Sequence, residues 1–400
     1  MRPMDAALYL ERFRRDPLGF IEHLAHGGPM VEFGLGDHKA VFLNDPGDIG
    51  EVLAAPEHNF RKALGFSRAR LFLDPSVFSR EISWPTRAEC SSWIDGILYE
   101  AGAFFDSPSC LGGLDAFDAL KLLNLRILAR TICNGNADLV GWPEKLAMDA
   151  IIEALNDVTL RFPTRPPDVS DEEKNRLQQV KTAVLRGIGL NMSDSRVSSY
   201  HQSARALTSL LAGYEQIPSL IVFSLYLLAH HPSVYDEVYQ EIDAVDLRES
   251  MLYSTGLSGL KCVMMEALRL YPPAWYLARI AMRDVMLCGR SVAKNSLVFM
   301  SQYTVHRDSR FFSNSTQFCS SRWKTKTVRQ PTFAYFPFSH GPRRCKGDFL
   351  VDLIATGVIG SLLRRFSFGI ASSRAGVIDS RISLRPKQIR FEFSPRKLNG

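Results

Sequence analysis

Apolar residues recur at three- and four-residue spacing through SSWIDGILYEAGAFF, LDAFDALKLLNLRILARTI, EKLAMDAIIEALNDVTL and NRLQQVKTAVLRGIGL. That period predicts helices over most of residues 88–228. Ahead of them, MVEFGLGDHKAVFL (30–43) reads as two short strands about a Gly-containing turn. The following DPGDIGEVLAA opens a helix at an Asp or Pro cap. Past Pro232 the pattern predicts a helix to Asp243 and another from about Thr255 to Tyr271. Short strands follow between Ala278 and Met300, then a long irregular stretch, a helix from Gly347 to Phe366, and strand-like RISLRP and IRFEFS.

The segment from Tyr200 to Ala229 is apolar on nearly all sides after Ala206, as in a helix through the centre of a large protein. Gly213, Glu215 and Pro218 interrupt it. A mid-helix Pro removes one hydrogen bond and clashes with the carbonyl four residues back, here that of Tyr214, so a kink is expected. The fold class that emerges is mainly α with small β-sheets near 30–43, 278–300 and 380–395, in one large domain spanning 1–400.

Composition supports a large core, with 46% hydrophobic and 22% charged residues. No Gly/Ser- or Pro-rich linker divides the chain. The formal net charge of +6 is scattered along it, which argues against a nucleic-acid partner. The first twenty residues hold neither a signal-peptide core nor a membrane-length apolar run, so no membrane anchor and a cytoplasmic location are expected. The seven cysteines are irregularly spaced without a CxxC pair, which disfavours zinc, a redox dithiol or a disulfide scaffold.

One cysteine stands in a dense motif. FSHGPRRCKG, Phe338 to Gly347, precedes an apolar helix. It resembles the haem-binding loop F-x-x-G-x-R-x-C-x-G of the cytochromes P450, with Phe338, Gly341, Arg343, Cys345 and Gly347 filling every fixed position. The plain alternative for any single cysteine is an ordinary core or loop thiol. The resemblance implies that Cys345 is the axial thiolate ligand of a haem iron, with haem b as cofactor. Phe338 would cover the sulfur and Arg343 would pair with a propionate. A ligating cysteine must remain a thiolate while shielded from water, and N–H groups of a Gly-permitted turn beside a helix N-terminus favour that charge.

Further matches lie in the same order along the chain. Glu266 and Arg269, ahead of Pro272 and Pro273, are similar to the family's E-x-x-R before a double proline, and at i, i+3 they share one helix face. The resemblance makes them a structural pair, although such pairs are commonplace on exposed helices. Arg279 stands where relatives carry a propionate-binding Arg. His306, Arg307 and Asp308 match H-R-D, and Phe318, Arg322 and Trp323 match F-x-P-x-R-W with Ser320 in place of Pro. Near the front, Phe60, Arg61 and Lys62 resemble F-R-K. Trp84 with Arg87 resembles a W-x-x-x-R propionate clamp one residue too short, and an ordinary surface Arg is an equal account of Arg87.

The central segment departs from its relatives, which read A-G-x-[DE]-T-[ST]. Here Ala212, Gly213, Tyr214, Glu215, Gln216 and Ile217 keep the small pair and the acid and lose the threonine. The small pair, Ala212 among the cofactor contacts, lets dioxygen and substrate approach the backbone. The acid and hydroxyl normally order water that delivers protons for O–O cleavage. Glu215 and Gln216 are therefore the catalytic candidates, but a carboxamide cannot relay a proton as a hydroxyl does. Glu215 acts through water alone, or C–H abstraction is followed by intramolecular coupling instead of hydroxylation. An acid turned away into a salt bridge is the structural alternative for Glu215.

Position in the family places substrate against Phe66, Leu211, Ala274, Trp275, Tyr276 and Leu277, although core packing accounts equally well for any one of these aromatics. The resemblance implies oxidation of a small organic, biosynthetic (secondary-metabolite) substrate with O2. Two electrons would come from a separate ferredoxin or flavodoxin with its reductase, docked near Arg344 and Lys346. A peroxide-driven enzyme and a haem-binding sensor or lapsed enzyme are the alternatives.

Overall fold

The structure, a computed structural model, describes residues 6–63, 85–106, 115–132, 137–161, 206, 209–324, 331–372, 378–381 and 383–396, with isolated positions between 171 and 186. Helices α1 (Ala6–Arg15) and α2 (Pro17–Ala25) meet at Asp16, which caps α2 by accepting from the Gly19 N–H at 3.0 Å. Pro17 takes the first helical position, where a missing N–H is no loss. Strands β1 (Met30–Leu35) and β2 (His38–Leu43) form the hairpin expected from their alternation. Asp45 then caps α3 (Pro46–Ala54), and β3 (Phe60–Lys62) follows.

The helical body begins with α4 (Arg87–Ser92), opened by a Thr86/Glu89 capping box. It continues through α5 (Ile94–Phe105), α6 (Ala116–Thr131) and α7 (Trp142–Arg161). The central helix occupies Ser209–Ala229 and is the one described helix long and apolar enough to cross a membrane. Its apolar surface is used inside the fold: α8 (Gln216–Ala229), its second part, buries Ile217 to Leu225 against α6 and two later helices. After it come α9 (Pro232–Ala244), α10 (Leu247–Tyr253) and α11 (Ser258–Leu270). The link between Asp243 and Thr255, for which the sequence predicts no element, contains α10, a seven-residue helix too short to show a period. It is fixed by Asp246 accepting from the Glu249 N–H at 2.8 Å.

Strands β4 (Leu277–Ala281), β5 (Val285–Leu287), β6 (Arg290–Val292) and β7 (Leu297–Met300) fall where short strands are expected. The main sheet has the order β1-β2-β7-β4-β3, antiparallel except for the parallel β2/β7 pair. Phe13, Phe20, Phe33 and Phe299 pack edge-on and tilted across one of its faces. A short α12 (Gln302–Val305) lies in the link that leads to α13 (Asp348–Arg365), which packs on α5 and α8. Strands β8 (Phe366–Ser372) and β9 (Ile378–Ser380), absent from the sequence expectation, pair with β11 (Arg390–Pro395) and β10 (Leu384–Pro386).

Candidate functional site

The Cys345 loop is shaped by one glycine and closed by backbone bonds. Gly341 has φ +67°, and a Cβ there would lie 2.3 Å from the Leu53 carbonyl oxygen at the end of α3. No other residue type fits so close a passage of two backbones. The turn Gly341–Arg343 leads into Cys345, whose N–H donates to the Phe338 carbonyl at 2.9 Å. By area Cys345 is exposed, yet desolvation by the surrounding protein pushes its thiol up. The Gly347 N–H, Lys62 and Arg344 pull the other way, and Asp348 adds to the rise. A residue that is open by area while its thiol is desolvated fits a concave setting.

Cations gather beside it. In the β3/β4 register Lys62 faces Arg279. Arg279 is only 5% exposed, and burial, then the neighbouring Arg343, lowers its guanidinium to about 10. Its Nη1 donates to the Ala278 carbonyl at 3.1 Å, and among the described residues no carboxylate pairs with it. Arg343 meets Glu57, itself 74% exposed, at 2.7 Å. A buried guanidinium without a counter-ion, pressed by a second one, calls for an anion. The desolvated thiol likewise needs a cation to become a thiolate. A haem with two propionates and an iron satisfies both, so these residues fit the group. Arg87 lies on the same side, its guanidinium 4.9 Å from the centroid of Phe349, next to the start of α13.

Glu266 and Arg269 form a buried knot. Both side chains have 0% exposure and meet in a bidentate pair at 2.7 and 2.9 Å. Glu266 also accepts from the Cys319 N–H, Arg322 Nε and Trp323 Nε1 at 3.0, 3.1 and 2.8 Å. Arg269 donates on to the carbonyls of His306, Ser315 and Gln317. His306 Nε2 accepts from the Phe336 N–H at 3.0 Å. The motifs at 266–269, 306–308 and 318–323 therefore converge on one cluster that holds the segment leading to Cys345.

The central helix breaks at Tyr214–Glu215 and restarts at Gln216. Pro218 thus falls in the first turn of α8, where a residue without an N–H is tolerated. Ala212 is exposed although Leu210, Tyr214 and Ile217 around it are buried, as expected where a core helix borders a recess. Gln216 is half-buried, with Oε1 shielded from solvent and without a partner among the described residues. Glu215 points elsewhere: Arg385 Nη1 donates to it at 2.8 Å and Ser383 Oγ at 2.5 Å. Arg385 also meets Glu153 and Asp379, each at 2.9 Å. Of the two readings of Glu215, the geometry displays the salt-bridged one.

Trp275 differs from the pocket expectation. It is fully buried, with Nε1 donating to the Arg381 carbonyl at 3.0 Å, so it packs core and anchors the C-terminal strands. Tyr276 stacks on Phe299 in the same cluster. Leu211, Ala274 and Leu277 are half-buried. Phe66 and Trp84 lie outside the described residues. Ser383, Arg385 and Glu153 escape sequence reasoning because no local spacing links them to Glu215, 168 and 170 positions away for the first two.

The family model described as Cytochrome P450 matches residues 147–393. Cyclooctat-9-en-7-ol 5-monooxygenase of Streptomyces melanosporofaciens is 25% identical over 393 residues, covering 88% of this chain and 85% of the relative. Cytochrome P450 3A6 of Oryctolagus cuniculus is 30% identical over 225 residues, covering 51% of this chain and 45% of the relative. Cytochrome P450 3A5 of Homo sapiens is 30% identical over 204 residues, covering 50% and 41%. The chain spans less than half the length of these mammalian relatives. With the loop around Cys345, the cationic recess and a match over more than half its length, this chain belongs to the cytochrome P450 family of haem-thiolate monooxygenases.

Proposed function

We propose that the chain binds haem b through Cys345 and oxidises a small, largely apolar secondary metabolite with O2 and two electrons from a separate ferredoxin or flavodoxin and its reductase. The Streptomyces relative is named for oxidation at position 5 of an unsaturated alcohol, and the substrate proposed here is a hydrophobic alcohol of that kind. Bound haem would supply dioxygen activation, with one oxygen atom entering the substrate and the other leaving as water after two protons are taken up.

The chain's own residues set the conditions. Arg279, Arg343 and Arg87 hold the propionates, and Cys345 ligates the iron from the recess wall. Ala212 leaves space at the opposing helix, where Leu211, Ala274 and Leu277 supply apolar contacts for substrate. Exposed Arg344 and Lys346 flank Cys345, and they offer docking charges for an acidic electron donor.

The observation that carries the reading is the accessible, desolvated Cys345 beside the unpaired charge of Arg279. It is tested by the absorption spectrum of the dithionite-reduced protein under carbon monoxide. A strongly red-shifted Soret band in wild type that is lost in Cys345→Ser is expected. An unshifted wild-type band overturns thiolate ligation. A second reading, peroxide as oxidant, is favoured by Glu215 being tied to Arg385 while Gln216 lacks a hydroxyl, because peroxide brings its own protons. Faster turnover with peroxide than with a reductase would select it, whether the product arises by hydroxylation or by intramolecular coupling.

A further inference from the structure

At the break in the central helix the Tyr214 carbonyl lacks its usual donor, and a residue of a different helix reaches it. Pro218 has no N–H to give the Tyr214 carbonyl. Asn124 of α6, 1% exposed, donates from Nδ2 to the Gly213 carbonyl at 3.1 Å and to the Tyr214 carbonyl at 3.4 Å. Two acceptors facing one end of the amide fix which end carries the hydrogens. Helix α6 packs against this turn, with Leu128 Cδ1 at ordinary contact distance, 3.6 Å, from where a Cβ at Gly213 would stand.

The aromatic side chain at the break is held as well. The Tyr214 hydroxyl donates to Asp149 Oδ1 at 2.9 Å and to the Lys145 carbonyl at 3.0 Å. Lys121 of α6 binds the same carboxylate at 2.7 Å. The opening is thus also held through Tyr214, by the same helix α7 whose Glu153 pairs with Arg385.

We infer that Asn124 is a positioning residue. It supplies to the opened turn the hydrogen bond that Pro218 denies the Tyr214 carbonyl, adds a shorter one to the Gly213 carbonyl, and so sets the spacing of Ala212 and Gln216 over the recess. In this chain, which has no threonine at the break, a neighbouring helix and not a hydroxyl of the central helix keeps the turn open. Only the catalytic consequence rests on the monooxygenase reading; the clamp itself does not.

The test is a double-mutant cycle between Asn124→Leu, close in size and without a donor, and Pro218→Ala, which restores the missing N–H. Amide hydrogen exchange across 211–219 and the thermal midpoint are measured with haem loaded, together with the share of electrons recovered in product. In the Pro218 background, Asn124→Leu is expected to speed exchange about tenfold or more and lower the midpoint. It should also divert electrons from product while leaving KM little changed.

In the Pro218→Ala background the same substitution should have little effect. Should Asn124→Leu alone fail to fold, the double variant must fold. Equal effects in both backgrounds, or unchanged exchange at 211–219, overturn the inference. A wild-type protein without the red-shifted carbon monoxide band would defeat the oxygenase reading alone, leaving the exchange result to stand.

Discussion

Behind the Cys345 loop one carboxylate is surrounded by donors, whereas beside the break in the central helix one guanidinium is surrounded by carboxylates. Glu266 accepts from two arginines, a tryptophan and a backbone N–H, and it is wholly buried. Arg385 meets Glu153, Glu215 and Asp379, with side-chain exposures of 44%, 5% and 26%. The first cluster is closed and uses every lone pair it can. The second is partly open, and its largest effect on the site is to take Glu215 away from Gln216. A closed cluster fixes backbone; an open one sets where a reactive group points, and it can be exchanged between partners.

That contrast is broken most strongly at Glu266. Glu266→Gln leaves Arg269 and Arg322 buried without a counter-charge, and removing one partner of a buried pair costs about 3–5 kcal/mol. Denaturant midpoints should fall accordingly, with loss of haem uptake because the segment before Cys345 loosens. A loss under about 1 kcal/mol would show that the knot is no more than a surface-type pair. Arg385→Met, on the open side, should cost less, about 2–3 kcal/mol, since Glu153 and Asp379 regain water while Glu215 keeps only Ser383. An equal or greater loss than at Glu266 would reverse the assignment of closed and open clusters.

How much of this was legible in the sequence follows the same division. The closed cluster is written in short motifs, because Glu266 and Arg269 are one helical turn apart and Arg322 and Trp323 are adjacent, so spacing alone brings them to notice. The Cys345 loop is legible for the same reason. The hairpin at 30–43 and the apolar central helix are visible because period 2 marks a half-buried strand and all-round apolarity marks a helix with no face in water. The open cluster is not legible: Ser383 and Arg385 lie in a strand whose pattern says nothing about a partner far back in the chain. Trp275 looked like a pocket aromatic, but whether an aromatic lines a cavity or fills a core depends on what packs against it, here the backbone at Arg381.

The knot should also show a pH signature. His306 sits at its edge, and burial, reinforced by Arg269 and Arg307, lowers the imidazole to about 3 from 6.5. The unfolded chain therefore binds one more proton than the folded chain between those values. Stability is lost as pH falls through 6.5, by at most about 1.4 kcal/mol per pH unit and roughly 2 kcal/mol by about pH 5. His306→Gln keeps an acceptor for the Phe336 N–H and does not titrate. The difference between the stability-pH curves of the two proteins isolates this contribution, and parallel curves would mean that His306 charges as freely in the fold as in water.

The smallest stability change, and the one that bears most on chemistry, is expected at Gln216. Gln216→Thr removes an orphaned carboxamide at a half-buried position, so the midpoint should move by no more than about 0.5 kcal/mol. Its hydroxyl would give the recess a group that can both accept and donate a proton. If the carboxamide limits proton delivery, the variant should raise reductase-supported turnover relative to peroxide-supported turnover and change the share of electrons found in product. Glu215→Ala is the companion: because Arg385 and Ser383 hold that carboxylate, its removal should lower the midpoint more than it changes this ratio. Should Glu215→Ala shift the ratio and Gln216→Thr leave it alone, the carboxylate must leave Arg385 during turnover, and the open cluster would be a working part of the site instead of its frame.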